Sequence, residues 1–492
     1  MTTKSKLGLF TGLFLFVLML IVPQPEGLSS AGWLTAAVGA LMATWWITEA
    51  IPIPATSLLP IVLFPLLQIQ SVSATTAPYA NPLIFLFMGG FMIAIAMQKW
   101  DLHKRIALNI VNFSGTKPTS IIIGFILASA FLSMWVSNTA TALMMLPIAL
   151  SIIAIAAKNR KTSSDGKPVK SNFELVLVLG IAYGCNIGGV ATLIGTPPNA
   201  LLAGFALEAY GLEVGFARWM LAGLPIVLVG LPVMYLVLTR FIYPIKLKDL
   251  PGGSEFISSE LENLGSMSNQ EKKVAAVFIV TALLWMFRLV LENIIPGLSD
   301  AGIAIAAGVA LFIIPSGRVD EKAGILQWGD MRQLPWGILI LFGGGLSLAS
   351  AITATGLAEW IALQTSSFDA LPLLLILLII VAIVVFLTEI TSNTATAAAF
   401  VPILAAVAIG LGQNPLLFAI PTAIAASCAF MLPVATPPNA VVYSSNEVTM
   451  FEMSKAGLWL NLIFIALISV AAYTIIAWNF GIELGTVPGW VD

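Results

Sequence analysis

Ser137-Asn138-Thr139-Ala140-Thr141-Ala142 interrupts an otherwise apolar stretch, residues 119–157, and the same six residues return as Ser392-Asn393-Thr394-Ala395-Thr396-Ala397 inside a second apolar stretch, residues 371–410. The flanks repeat at the same spacing. Leu86-Phe87 and Gly89-Gly90 return as Leu341-Phe342 and Gly344-Gly345, Ile106-Ala107-Leu108 as Ile361-Ala362-Leu363, and Pro147 as Pro402, each 255 positions later. One offset shared by segments of such different composition means duplication. Downstream, Thr196-Pro197-Pro198-Asn199-Ala200 returns at Thr436 to Ala440, 240 positions on, so the first half holds 255 − 240 = 15 more residues between its motifs. The loop Lys158 to Asn172 supplies that length.

The solvent for this duplicated chain follows from composition. Of 492 residues 59% are hydrophobic and 9% charged, and the mean hydropathy is +0.99, which leaves too little charge to clothe a water-soluble surface. A crossing needs about 20 mostly apolar residues. Runs of that kind fall near 7–22, 31–48, 51–67, 82–98, 174–207, 220–243, 273–291, 299–315, 335–352, 414–443 and 456–480, which makes eleven. No polar break is long enough for a separate soluble domain. The first run lacks a small-x-small cleavage site before Pro23 and is read as an uncleaved span. Acidic and basic residues nearly cancel, 24 against 22, and give no support to a nucleic-acid partner. Cys185 and Cys428 lie in apolar segments and read as small buried residues.

Lys and Arg set the orientation, because short cytoplasmic loops carry the positive excess. The clusters are Lys4 and Lys6; Lys99, Lys104 and Arg105; Lys158 to Lys170; Arg240 to Lys273; and Arg318, Lys322 and Arg332, whereas loops 23–30, 68–81, 292–298 and 364–370 carry none. All clusters fall on one side if the amino terminus is cytoplasmic and each interrupted stretch leaves on the side it entered. Two full crossings per stretch would give the same sidedness. The polar interruption favours re-entrant hairpins, since non-helical backbone at depth is tolerated only where it lines a cavity or is buried in protein. Counted from the start of residues 82–98 to the start of their copy there are five full crossings, so the repeats are inverted. Inverted repeats with helices broken at matching places point to a secondary transporter whose site lies at the repeat interface.

A hairpin tip at Ser-Asn-Thr offers backbone N–H groups, hydroxyls and an amide, and half-helix amino termini favour carboxylate oxygens. Two such tips suit a substrate with two anionic ends. At Thr-Pro-Pro-Asn the prolines free carbonyls to face a cation, so each break beside a tip is a candidate Na⁺ site. Alone, a Ser-Asn-Thr reads as interhelical hydrogen bonding and a Pro-Pro as a kink; paired copies in inverted halves read as a site. Glu389 has Met134 as its counterpart and reads as bonding a hairpin backbone, with a proton or cation role as the other reading. Glu49, after Trp45-Trp46, reads as an interface anchor, and His103, among Lys104 and Arg105, as a solvated or headgroup-facing residue. One histidine, two separated cysteines and no paired carboxylates leave metal or hydrolytic catalysis without a constellation, so the chain is not read as an enzyme.

The twin Ser-Asn-Thr hairpins and twin Thr-Pro breaks resemble the divalent anion/sodium symporter family, whose members carry dicarboxylates, citrate or sulfate, and the resemblance covers essentially the whole chain. It implies an all-α polytopic membrane protein, eleven transmembrane helices plus two re-entrant hairpins, working as an elevator and assembling as a homodimer. The scaffold would be residues 1–117 and 273–367, and the transport domain residues 118–272 and 368–492. Carried onto this sequence, substrate contacts would come from Ser137, Asn138 and Thr139, from Ser392, Asn393 and Thr394, and from Thr196, Thr436 and Pro437. One Na⁺ site would use Ser133, Ser137, Asn138 and the Gly195 carbonyl; the other Thr388, Thr391, Asn393 and the Ala435 carbonyl, where Thr391 departs from the small apolar residue expected there, a departure without consequence if only its carbonyl is used. The expected function is Na⁺-coupled import of a C4-dicarboxylate across the cell inner membrane, with the carboxyl terminus external and no organic cofactor. The family also includes Na⁺-independent exchangers; sulfate, citrate or 2-oxoglutarate are the other substrates, and a channel or membrane-embedded transferase the readings outside the class.

Overall fold

The computed structural model describes residues 3–158, 171–247, 249–250, 252–317, 324–365 and 371–491. Arg160, Lys161, Lys167, Lys170, Arg318 and Lys322, and with them most of the loop given the 15 extra residues, lie outside the described residues. Apolar segments in lipid must satisfy their own backbone, which leaves helices or closed barrels. Helices are what form: among the described residues the only strand-like pairing is an isolated bridge between Pro315 and Gly324.

Unbroken helices occupy most of the expected crossings: Thr3–Ile21, Ser30–Thr48, Pro82–Lys99, Phe216–Leu236 with a π-turn to Ile242, Asn269–Leu291, Asp300–Ile313, Trp336–Ala354 and Met450–Ala471, prolonged to Phe480. The run expected at 51–67 is instead two short helices, Ile53–Thr56 and Leu59–Leu66. Pro60 has no N–H to give to the Thr56 carbonyl, so the helical ladder cannot pass through. The runs 174–207 and 414–443 are each split before their Thr-Pro, into Asn172–Gly189 and Pro197–Tyr210, and into Leu416–Ala426 and Pro437–Tyr443.

Both long interrupted stretches break at Ser-Asn-Thr. The first gives Pro118–Ser133 and Asn138–Lys158, the second Leu373–Thr388 and Asn393–Gly410. Each first arm has 16 residues, about 24 Å at 1.5 Å per residue, short of the roughly 30 Å apolar core. The repeated Ile-Ala-Leu lies in both halves on a short helix between a crossing and a hairpin, Leu102–Ser114 and Leu357–Thr365. Small residues let the hairpin backbones approach their neighbours closely. A Cβ on Gly188 would fall 2.3 Å from the Ala130 carbonyl oxygen, so Asn172–Gly189 packs on the first hairpin arm backbone to backbone.

The basic loops meet on one face. Lys99 pairs with Asp330 at 2.7 Å, Lys104 with Glu260 at 3.2 Å and Arg105 with Glu271 at 2.6 Å, while Arg105 also donates to the Leu264 and Gly265 carbonyls. Ser5 Oγ donates to the Ala50 carbonyl at 3.0 Å, which ties the amino terminus to the end of Ser30–Thr48. His103 corrects the sequence reading: it is buried, with Nδ1 3.0 Å from the Met97 carbonyl oxygen. Burial pushes its imidazole below the ordinary histidine value and outweighs the hydrogen bond that favours the proton. The helix Leu102–Ser114 is amphipathic as expected, but His103 sits on the face that meets the protein.

A second feature was not legible. Arg288 is 6% exposed and pairs with Glu213 at 2.8 Å, Asp300 at 3.1 Å and Glu292 at 3.6 Å. Asp300 also accepts the Phe216 N–H at 2.7 Å, and Phe216 stacks on Trp285 with ring centroids 4.5 Å apart. Removing the cation leaves three carboxylates together, one of them buried. Arg288→Leu should therefore cost roughly 3–5 kcal/mol, read as a drop in the thermal midpoint of the detergent-purified protein; an unchanged midpoint would contradict this account.

Candidate functional site

Each tip is a short turn after the first arm that closes on a serine, Ser137 or Ser392, placed just before the second arm. Ser137 Oγ accepts the Ala140 N–H at 3.3 Å and its carbonyl accepts the Thr141 N–H at 3.0 Å, which caps Asn138–Lys158 from within the motif. Just before the tip, Ser133 Oγ lies against Asn138 Oδ1 and 2.8 Å from the Cys185 carbonyl. The second hairpin repeats the pair: Thr388 Oγ1 is 2.8 Å from Asn393 Oδ1 and 2.9 Å from the Ala426 carbonyl. One hydroxyl proton serves one acceptor at a time, so each tip has oxygens in excess of donors.

The Thr-Pro-Pro-Asn breaks are held by their asparagines. Asn199 Nδ2 donates to the carbonyls of Gly189 at 3.1 Å and Thr192 at 2.8 Å. Asn439 Nδ2 donates to those of Ala429 at 3.2 Å and Leu432 at 3.1 Å. Both acceptors are 240 positions from their counterparts, like the asparagines themselves. These two residues were inside the repeated motif, yet their role was missed, because the motif shows an amide without showing its partners. Asn186 was missed as well. It lines the cavity described next, and its Nδ2 donates across the halves to Thr436 Oγ1 at 3.1 Å and Asn439 Oδ1 at 3.2 Å.

Glu389 is buried and accepts four donors: the N–H groups of Phe430 at 2.7 Å, Met431 at 2.9 Å and Leu432 at 3.0 Å, and Asn461 Nδ2 at 2.8 Å. The reason it has no counterpart is visible in the first half. There the helix runs on to Gly189, and the N–H groups of Val190 and Ala191, equivalent to Phe430 and Met431, close turns on the Ile187 and Gly188 carbonyls. The second helix stops at Ala426. Its freed N–H groups need an outside acceptor, and Glu389 is that acceptor.

All nine residues expected at the substrate, Ser137, Asn138, Thr139, Thr196, Ser392, Asn393, Thr394, Thr436 and Pro437, line one cavity of about 450 Å³. Of the residues expected at Na⁺, Gly195 and Ala435 line it too, and Ser133 and Thr388 are buried behind the tips. A Cβ on Gly189 would lie 3.0 Å from both Asn138 Oδ1 and the Gly195 carbonyl oxygen, so tip and break oxygens face one point. Thr391 stands apart from the cavity wall. Its hydroxyl is taken by the Leu387 carbonyl at 2.9 Å and Thr396 Oγ1 at 2.6 Å, which leaves its carbonyl as the atom available to the tip.

The opposite wall is Glu49, Ile53, Phe87, Phe91 and Ile338. Glu49 thus corrects its reading as an interface anchor: it faces the cavity, and it is the one charged side chain among the described residues that line it. Glu49 and Ile53 adjoin the end tied to the amino terminus by Ser5, and Ile338 follows the segment that holds Lys99, so the cavity mouth lies on the basic face.

Residues 3–481 match the family described as "Sodium:sulfate symporter transmembrane region". The chain is 44% identical over 486 residues to the "Sodium-dependent dicarboxylate transporter SdcS" of Staphylococcus aureus (strain MRSA252), covering 98% of this chain and 93% of that one. The protein of that name from strain USA300 is 44% identical over 481 residues, covering 97% and 92%. Among solved structures, the Alcanivorax borkumensis YdaH transporter aligns with a TM-score of 0.58 at 15% identity, covering 98% of this chain and 99% of that one. Neisseria gonorrhoeae MtrF aligns at 0.56 and 15%, covering 98% and 96%. At that identity the two structures speak for the fold.

Glu389→Gln puts an NH₂ where backbone N–H groups now find an oxygen, and a buried donor left unmet costs about 1–3 kcal/mol. The thermal midpoint of the purified variant should fall, and the amides of Phe430, Met431 and Leu432 should exchange faster with solvent. Wild-type values in both would remove the assigned role.

Proposed function

The chain belongs to the sodium:sulfate symporter, or divalent anion/sodium symporter, family, and from that premise we propose that it is a secondary active transporter that couples Na⁺ entry to the import of C4-dicarboxylates. The observation that carries this reading is the meeting of both tips and both breaks on one cavity walled by neutral donors. Hydroxyls, amides and helix amino termini can hold two carboxylate groups without a fixed cation. The names of the Staphylococcus aureus relatives support the dicarboxylate and the ion.

Na⁺ would be held where tip oxygens meet break carbonyls: Ser133, Ser137, Asn138 and Gly195 in the first half, Thr388, Asn393, Ala435 and the Thr391 carbonyl in the second. Oxygen ligands of this kind suit a hard monovalent cation. The basic face is cytoplasmic by the positive-inside rule, which puts the amino terminus inside, the carboxyl terminus outside and the cavity open inward, in a cell inner membrane.

Division into a scaffold of residues 1–117 and 273–367 and a transport domain of residues 118–272 and 368–492 is supported by how it sorts the cavity wall. Every expected substrate residue lies on the transport parts, and Glu49, Ile53, Phe87, Phe91 and Ile338 all lie on the scaffold parts. An elevator would carry the whole cradle past that fixed wall, and contacts such as Phe216 on Trp285 would part as it rises. A homodimer would anchor the scaffold against the moving part.

Uptake of labelled succinate into proteoliposomes should rise steeply with an inward Na⁺ gradient. Uptake indifferent to Na⁺ but dependent on internal dicarboxylate would give exchange instead, and competition by sulfate, citrate and 2-oxoglutarate ranks the substrates. Asn138→Ala and Asn393→Ala each remove an amide assigned to both substrate and Na⁺. Since a hydrogen bond to a charged group contributes about 1.5–3 kcal/mol, each variant should lose about tenfold or more in succinate affinity and show a weaker Na⁺ response. A variant that folds and transports normally would overturn the site assignment.

A further inference from the structure

We propose that Glu49 sets the difference in substrate affinity between the two faces of the membrane, by repelling the dianion from the cavity when it opens inward. The inference rests on the transport reading above, and within it on one consequence of a moving cradle. A cradle that travels presents the same tips and breaks to both sides. Any difference between binding outside and release inside must come from walls that do not travel. On the inward side those walls are four apolar residues, Ile53, Phe87, Phe91 and Ile338, and the Glu49 carboxylate.

The fold by itself gives no reason for glutamate here. Glu49 caps the carboxyl end of Ser30–Thr48 in the left-handed conformation, at φ 48° and ψ 45°, where glycine or asparagine fits at less cost. A negative charge at that end also opposes the helix dipole, which favours cations there. The residue is exposed and makes no ion pair among the described residues. Lys4 is a cation near this end of the molecule, but its Nζ is committed to the Ile390 carbonyl at 3.1 Å and it does not line the cavity. What remains is a position unfavourable for an acid on two counts, occupied by an acid, facing the path by which an anion would leave.

A unit charge acting on a dianion across several ångströms of water-filled cavity changes its binding by about three- to tenfold. The test measures succinate KM on each face of the full-length protein, in everted and in right-side-out membrane vesicles at fixed Na⁺. Glu49→Gln should lower the cytoplasmic-face KM by about three- to tenfold with the outer-face KM unmoved, Glu49→Lys should lower it further, and Glu49→Asp should keep most of the asymmetry. Raising ionic strength with choline chloride screens the repulsion, so in the unaltered protein the cytoplasmic-face KM should fall with salt while the outer-face KM does not. This arm needs no variant to fold. Equal shifts on both faces, Glu49→Asp behaving as Glu49→Gln, or a cytoplasmic-face KM indifferent to salt would each overturn the proposal while Na⁺-driven succinate uptake still stands. Loss of that uptake in the unaltered protein would instead remove the transport reading itself.

Discussion

In lipid, a backbone N–H or C=O that leaves a helix must find a partner inside the protein. Besides the step at Pro60, the described apolar segments leave the helix at two hairpin tips and two breaks, and each tip and break is answered by a specific side chain. Asn199 and Asn439 gather the carbonyls before the two Thr-Pro steps. Thr192 ties the first break to the Met134 carbonyl at 2.5 Å, and Glu389 ties the second break to its hairpin. The polar groups that face the cavity are the remainder, left after the other side of each break has been satisfied. Anchoring and exposure are therefore two faces of one arrangement, and a tip could not be loosened without losing both.

The two halves solve the same problem with different means. In the first, the helix before the break runs three residues further toward it, and its next N–H groups close turns on their own chain. In the second, the helix ends early, three N–H groups are released together, and a carboxylate takes them all. Charge-assisted bonds of this kind are stronger than neutral ones, and four donors leave the carboxylate little freedom. The departure from symmetry at Glu389 is thus a response to local backbone, placed behind the cavity wall, while the groups facing the cavity keep the repeat.

Much of this was legible from the chain. The identical hexapeptides located both tips, the Thr-Pro-Pro-Asn pair located both breaks, and the inversion followed from counting crossings between them. Each depends on local covalent facts, such as a missing proline N–H or a polar group with no place in lipid. What stayed hidden depends on tertiary partners. Beside Glu292, four residues on, Arg288 gathers Glu213 and Asp300 from two other segments, and nothing in its own neighbourhood announces those two. His103 and Glu49 were misread for a related reason: an amphipathic helix or a span end looks the same whether it meets headgroups, another helix or a cavity. The proline-interrupted third crossing was readable in principle, from Pro60, and was overlooked because its hydropathy is continuous.

The neutrality of the cradle bears on coupling. Moving a dianion through an apolar barrier is prohibitive when its charge is uncompensated, because desolvation of an ion in a low-dielectric medium costs far more than hydrogen bonds return. A fixed arginine in the site would compensate the loaded state, but it would leave the empty cradle charged and equally immobile on the way back. A wall of hydroxyls, amides and helix ends avoids that second penalty, and it can carry a dianion only if mobile cations enter with it. Two monovalent cations cancel two carboxylates, and on the proposed reading the chain has two places to hold them, one beside each tip and break. On the proposed reading, then, the absence of a fixed cation among the described wall residues and the duplication of the oxygen clusters belong to one design, in which the fully loaded and the fully empty cradle are both near neutral and the partly loaded ones are not.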